Sequence, residues 1–333
     1  MIAFDLEGPL TPQDYACELF EDVVPEGGTI FAALSRYDDA LAERQRDGCE
    51  PGDTLALILP FILAHGADFA MMKKHIVSHI SVAEGAVETF DQCRRAGRII
   101  HVITTAYEPF ALEVCRILGV DPESVHPTRV HAETWQSLDL PDAHSAIVSM
   151  ESSLRERFQS TDLGLGGSDD ELIDLLDPFF LERLPTFGLP HPTSIVQPRG
   201  GRRKLECLKT IAREARIPMS DVVYVGDSIT DEAALRFVDK AGGLSIAFNG
   251  NRFAIRAATV AVASRSTADL LPLLDAWDVG GRPAVRAVLD SKGLGGDVDA
   301  VWLPGLSNTD VGHTVERHAR TRSAVREGAA RLG

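Results

Sequence analysis

Ile2-Ala3-Phe4-Asp5-Leu6-Glu7-Gly8-Pro9-Leu10-Thr11 is an unbroken apolar run that ends in a carboxylate, followed by a second carboxylate and a Gly-Pro turn. An apolar run without polar alternation reads as a short strand buried on both faces, as in a parallel sheet covered by helices. Val222-Val223-Tyr224-Val225-Gly226-Asp227-Ser228-Ile229-Thr230-Asp231 repeats the pattern, an apolar run ending in Gly-Asp with a further Asp four residues on. Between the two stand Val102-Ile103-Thr104-Thr105, a strand ending in hydroxyls, and Lys204, in a basic stretch that leads into a helix. Ligands of open α/β sheets sit beyond the carboxyl ends of the strands. These four segments are therefore expected to meet there, although they lie far apart in the sequence.

Acid, hydroxyl, lysine and acid in that order suit phosphoryl transfer. Asp5, the first residue past its strand, is placed to attack phosphorus and form an aspartyl-phosphate. Glu7 emerges on the same side of an extended chain and is read as the general acid and base. Magnesium prefers hard oxygen ligands, and the expected metal set is Asp5, Glu7 through its backbone carbonyl, Asp227 and Asp231, with Asp231 either holding a metal-bound water or orienting Lys204. Lys204 offsets the repulsion between an attacking carboxylate and a phosphate dianion. Thr104 and Thr105 are read as holding phosphate oxygens. Arg36 and Tyr37, beside Asp38 and Asp39, are the candidates for recognising the rest of the substrate, since an arginine beside an aromatic suits a carboxylate or second anion.

Bulk properties narrow the setting. With 333 residues and 44% hydrophobic content the chain can bury a sizeable core. A net charge of -16 argues against general nucleic-acid binding, so a small phosphorylated substrate would meet local cations and a metal. Cys17, Cys49, Cys93, Cys115 and Cys207 show no CxxC spacing and read as reduced, mostly buried thiols. No apolar stretch approaches the ~20 residues of a membrane span. With Asp5 so near the start no cleavable targeting segment is expected, and the localisation expected is cytoplasmic.

The alternation of strands and helices predicts an α/β fold, a doubly wound Rossmann-like parallel sheet. Its core is expected in residues 1–10, 80–135 and 199–278. Residues 11–79 carry helical spacing (Tyr15, Leu19 and Val23; Leu55, Ile58, Leu59 and Ile62) and are expected to form a separate helical lobe, with Asp53 or Thr54 as an N-cap. Alternation is lost over 136–198, read as a second helical insertion, and its Asp162–Ser168 glycine loop is read as a plain linker. Residues 279–333 are Gly-rich and then basic (Arg317, Arg320, Arg322, Arg326, Arg331) and read as a solvated helix.

On Asp5-Leu6-Glu7-Gly8-Pro9-Leu10-Thr11, Val102-Ile103-Thr104, Lys204 and Gly226-Asp227-Ser228-Ile229-Thr230-Asp231, the chain resembles the haloacid dehalogenase-like superfamily of aspartyl-phosphate phosphatases and phosphotransferases. The resemblance implies a Rossmann-like fold, magnesium dependence and a cap inserted after the first motif, here 11–79. Val24-Pro25-Glu26-Gly27-Gly28, Leu34-Ser35-Arg36-Tyr37-Asp38-Asp39 and Gly52–Phe61 are similar to an archaeal-type branch named after subunit R of energy-converting hydrogenase A. A more distant likeness is to phosphoserine phosphatase-like proteins. The usual pattern has Asp where this chain has Glu7, a glutamate that both similar groups share; the longer side chain leaves slower turnover, or an acceptor other than water, open. The expected activity is a magnesium-dependent phosphomonoesterase. The alternatives are a phosphotransferase, or a non-catalytic subunit that docks on a protein partner through 136–198 or the C-terminal tail.

Overall fold

The computed structural model describes residues 1–68, 71, 74, 75, 80–131, 141–158, 160, 161, 164–291, 294, 295 and 298–325. Seven strands form one sheet: β1 (Ile2–Phe4), β2 (Ile100–Tyr107), β3 (Val125–Thr128), β6 (Val223–Gly226), β7 (Leu244–Phe248), β8 (Val260–Ala263) and β9 (Asp299–Trp302). A separate antiparallel hairpin joins β4 (Ser160–Thr161), just before the loop read as a linker, and β5 (Gly164–Leu165), within it. The sheet order is β3-β2-β1-β6-β7-β8-β9, parallel except for β9 at the edge. The chain winds outward from β1 to β3 and then returns through β6, so the winding reverses between β1 and β6. That reversal leaves a crevice at the strand ends where ligands bind in such sheets.

The central strands are apolar because both their faces are covered. Ala3, Ile103 and Tyr224 point into one layer with Leu208, Ile211 and Leu235. Ile2, Phe4, Val102 and Val225 point into the other with Phe90 and Phe110, and the rings of Phe4 and Phe90 lie 5.1 Å apart. Each buried Val, Leu, Ile or Phe side chain among these contributes roughly 1.5–3 kcal/mol. The predicted helices form close to their expected bounds, as Ala86–Arg95, Glu108–Ile117, Gly201–Glu214 and Glu232–Lys240.

From the stretch read as a second insertion, His144–Arg157 packs on the helices Gly27–Glu43 and Leu59–Ala64, and Asp169–Pro178 packs on Gly27–Glu43, which also carries Tyr15–Val23. Phe61 meets Phe179 and Phe180 at 5.8 and 6.5 Å, and the ion pairs Arg36–Asp169 and Arg46–Asp177 cross the same boundary. Among the described residues, the two inserted stretches thus share a single helical layer. Asp53 is the N-cap residue of the short helix Thr54–Leu57, as expected, but its side chain makes no capping bond. The Asp38 carboxylate accepts from Gly52 N, Thr54 N and Thr54 Oγ1 at 2.9, 3.0 and 2.8 Å, whereas Asp53 pairs with Arg203.

The C-terminal stretch also departs from expectation. The helix Leu271–Asp290 runs across the expected core boundary and breaks at Gly280 and Gly281. β9 then pairs antiparallel with β8, and the helix Asn308–Val325 packs on the core, burying Thr314, His318 and Arg322. The reading of this segment as a solvated helix fails: Val311 and Val315 pack against the core beside a buried face that is otherwise polar. All five cysteines are free thiols, four of them buried. Among the described residues no helix is long and apolar enough to cross a membrane.

Candidate active site

Asp5 follows β1 and Asp227 follows β6, so both carboxylates stand at the reversal point of the sheet. The register sets Phe4 against Val225, and Asp5 N donates to Val225 O at 2.8 Å. Carboxylate oxygens of Asp5, Asp227 and Asp231 lie within 4.8 Å of one another, and all three residues are buried. Gly8 lets the loop after β1 pass this close: its φ is +103°, and a Cβ there would fall 2.3 Å from Asp227 Oδ2. Alanine at Gly8 would therefore push the Asp5 loop away from Asp227.

Lys204 Nζ, fully buried, bridges Asp5 Oδ2 and Asp231 Oδ1 at 2.7 Å each and donates to Thr230 Oγ1 at 3.1 Å. Its helix starts hard against the cap loop, because a Cβ on Gly200 would fall 1.8 Å from Pro51 O, and Arg202 and Arg203 pair there with Glu50 and Asp53. Burial alone would lower the Lys204 pKa, but Asp231 and Asp5 outweigh it and hold the ammonium above its ordinary value. Burial, with the nearby Asp231 charge, raises Asp5 well above the usual carboxylate range despite Lys204. Burial would raise Asp231 too, yet Lys204 and its hydrogen bonds hold it below that range.

Both Asp231 oxygens are engaged. Oδ1 accepts from Lys204 and from Tyr224 OH at 2.7 Å, and Oδ2 accepts from Asp227 N and Ser228 N at 3.0 and 3.1 Å. This is the arrangement of a positioning residue, which holds Lys204 and the Asp227 loop, one of the two roles expected of Asp231. Glu7 lines the cleft half-buried, and its Oε1 accepts from Tyr15 N at 3.1 Å, at the start of the first cap helix. Thr105 lines the cleft, whereas Thr104 is fully buried and its hydroxyl accepts from Ala106 N at 3.0 Å.

Arg36 and Tyr37 are the residues the structure places away from the phosphoryl cleft. Tyr37 is buried, donates to Asp177 at 2.6 Å and stacks on Phe180 at 6.0 Å, inside the cap. Arg36 pairs with Asp169 at 2.7 Å and reaches the carbonyls of Gly166 and Gly167. The segment instead sends Asp38 and Asp39 to the cleft wall. The sequence reading also missed Arg322. From the C-terminal helix its guanidinium donates to Asp227 Oδ2 at 2.8 Å, to Asp227 O at 3.0 Å and to Asn249 O at 3.4 Å. Thr314, His318 and Arg322, spaced by four, mark one face of a helix and were the signal available in the sequence.

No family model matches the chain, and no curated protein matches it. Among solved structures, gene product AF1437 from Archaeoglobus fulgidus aligns with a TM-score of 0.85 at 24% identity, covering 100% of this chain and 98% of that one. The chain shares that protein's α/β fold along its whole length. A phosphoserine phosphatase with a phospho-aspartyl intermediate analogue aligns with a TM-score of 0.49 at 18% identity, covering 81% of this chain and 96% of that one. A HAD family hydrolase from Salmonella enterica serovar Typhi aligns at 0.45 and 13%, covering 75% and 62%.

Proposed function

We propose that this chain is a haloacid dehalogenase-like phosphatase, a magnesium-dependent phosphomonoesterase that acts on a small phosphorylated metabolite through an aspartyl-phosphate at Asp5. The observation that carries this reading is the convergence of Asp5, Asp227 and the doubly paired Lys204 at the point where the sheet reverses. The narrower likeness to the hydrogenase-named branch rests on the sequence motifs alone.

The donor set fits magnesium, since the oxygens facing the cleft from Asp5 and Asp227 are hard carboxylates close enough to approach one ion. Asp5, Asp227 and the Glu7 carbonyl would hold it. When bound, the ion supplies positive charge to the phosphoryl oxygens. Lys204 supplies a second, fixed charge from the Asp5 side, already oriented by Asp231 and therefore needing no reorganisation during reaction.

Asp5 attacks phosphorus, the ester P–O bond breaks, and Glu7 gives its proton to the departing alkoxide. Glu7 then takes a proton from water, whose oxygen attacks phosphorus of the aspartyl-phosphate; phosphate is released, Asp5 returns to its carboxylate and Glu7 to its protonated form. The Glu7 bond from Tyr15 N ties this acid and base to the cap, so cap position and proton transfer move together.

Acid quenching of enzyme mixed with magnesium and a labelled phosphomonoester is expected to trap phosphate on Asp5. Asp5→Asn is expected to show no label and no turnover. Full turnover in that variant overturns the reading.

A further inference from the structure

The cleft between Asp5 and Asp227 encloses about 110 Å³, and a second chamber of about 490 Å³ adjoins it. The two share Asp39, Asn251 and Arg322 in their walls. Sites that enclose a whole small molecule run to roughly 300–1,000 Å³. The cleft is therefore sized for a phosphoryl group and little more, whereas the chamber is sized for a molecule. It lies between the cap helix Gly27–Glu43, the start of the helix Arg252–Ala257 and the C-terminal helix.

We propose that this chamber receives the leaving-group half of the substrate, and that the substrate is the phosphomonoester of an uncharged, ring-bearing alcohol, of nucleoside or disaccharide size. This deepens the phosphatase reading above and rests on it. The chamber's apolar wall is Ala40, Phe253, Val315 and Ala319, which suits the face of a ring. Its cations are already spent, Arg36 on Asp169, Arg252 on Glu43 and Arg322 on Asp227, at 2.7, 2.6 and 2.8 Å. A second anion on the substrate would meet Asp39, Glu43 and Asp169 with these arginines already paired.

Asp39 stands where the two spaces join and makes no ion pair among the described residues. Burial first, then the Glu43 charge, raise its carboxyl to about 7 against the pull of Arg252. A carboxyl that is partly protonated near neutrality both donates and accepts, which suits a hydroxyl or an amino group on the alcohol. Arg322 contributes to both walls, so the C-terminal helix is a part of the substrate site that cap and sheet alone would leave open.

The test compares kcat/KM of the full chain, with magnesium, on acetyl phosphate, phosphoserine, glycerol 3-phosphate, thymidine 5′-monophosphate and a disaccharide 6-phosphate. At least one ring-bearing ester is expected to exceed phosphoserine and glycerol 3-phosphate by about tenfold or more. In Ala319→Trp, which fills the chamber from an exposed helix position, the ratio of that ester to acetyl phosphate is expected to fall by about tenfold. Val315→Trp provides the same reading should the first variant misfold. Equal or better turnover of the small esters, or an unchanged ratio in both variants, overturns the chamber assignment and leaves the phosphatase reading in place. Absence of turnover on every ester and on acetyl phosphate overturns both.

Discussion

Two buried cations reach the strand-end carboxylates from opposite parts of the chain. Lys204 arrives on the helix Gly201–Glu214 and is held between Asp5 and Asp231. Arg322 arrives on the helix Asn308–Val325 and is held by the Asp227 carboxylate. The first is fixed on two sides by residues of the motif set, whereas the second depends on the docking of a terminal helix. Lys204 is thus part of a rigid charge arrangement, and Arg322 couples the integrity of the C-terminal helix to Asp227.

Removing Lys204 gives the largest expected effect. Lys204→Met leaves Asp5 and Asp231 facing each other unpaired in a buried space, and breaking a buried pair in this way costs about 3–5 kcal/mol. Turnover is expected to fall by about a thousandfold or more, read from kcat in saturating magnesium, with the stability loss read from urea unfolding. A variant of near-normal stability and turnover would show that the two cations are interchangeable.

Arg322→Met sharpens the contrast through its dependence on magnesium. Without magnesium the variant leaves Asp227 buried and without its guanidinium, and the expected loss is again about 3 kcal/mol. An ion bound at Asp227 takes over the lost partner and stabilises only the folded state. The gap between Arg322→Met and the unaltered chain in thermal unfolding should therefore narrow on going from EDTA to millimolar magnesium. A gap that does not change would show that Arg322 is only a packing contact.

His318 lies one turn before Arg322 on the same buried face, with neither ring nitrogen hydrogen-bonded. Burial holds its pKa down to about 4, against the raising effect of Asp299. The unfolded state, titrating near 6.5, therefore binds more protons than the folded state between those values. The contribution is fully present above about pH 6.5 and is lost as the pH falls toward 4, by up to about 3 kcal/mol. His318→Leu is expected to flatten that part of the stability profile, as measured by urea unfolding from about pH 7.5 to about pH 4.5.

The difference between the two cations also explains what could be read from the sequence. Lys204 and the acids were legible because buried parallel strands are continuous apolar runs, and a carboxylate ending such a run stands out. The reversal of the sheet between β1 and β6 then brings the ends together without further information. Arg322 was hidden because the fully buried residues that dock its helix, Thr314, His318 and Arg322, are polar, and Val311 and Val315 beside them are too few to distinguish it from a solvated helix. β9 was hidden in the same way, as a half-buried edge strand of four residues. The cap was less legible: 136–198 supplies Asp169 as the partner of Arg36, and Asp177 and Phe180 as those of Tyr37, across a separation that local pattern cannot bridge.

Tyr37 gives the smallest expected effect and extends the comparison to a residue that chemistry alone would have placed with Lys204. Its hydroxyl donates to Asp177 Oδ1, which Arg46 also holds at 2.6 Å, so Tyr37→Phe leaves the carboxylate with a partner. The ring's packing on Phe180 is retained. The expected cost is about 1 kcal/mol, that of one hydrogen bond whose acceptor stays satisfied. Since the hydroxyl is turned into the cap and the cleft is untouched, kcat/KM should stay within about twofold, because losing one structural hydrogen bond alters stability rather than the reacting groups. A KM raised about tenfold with unchanged stability, a loss of about 1.4 kcal/mol in binding, would instead put Tyr37 on the substrate, and would require the cap to open and turn this helix toward the cleft.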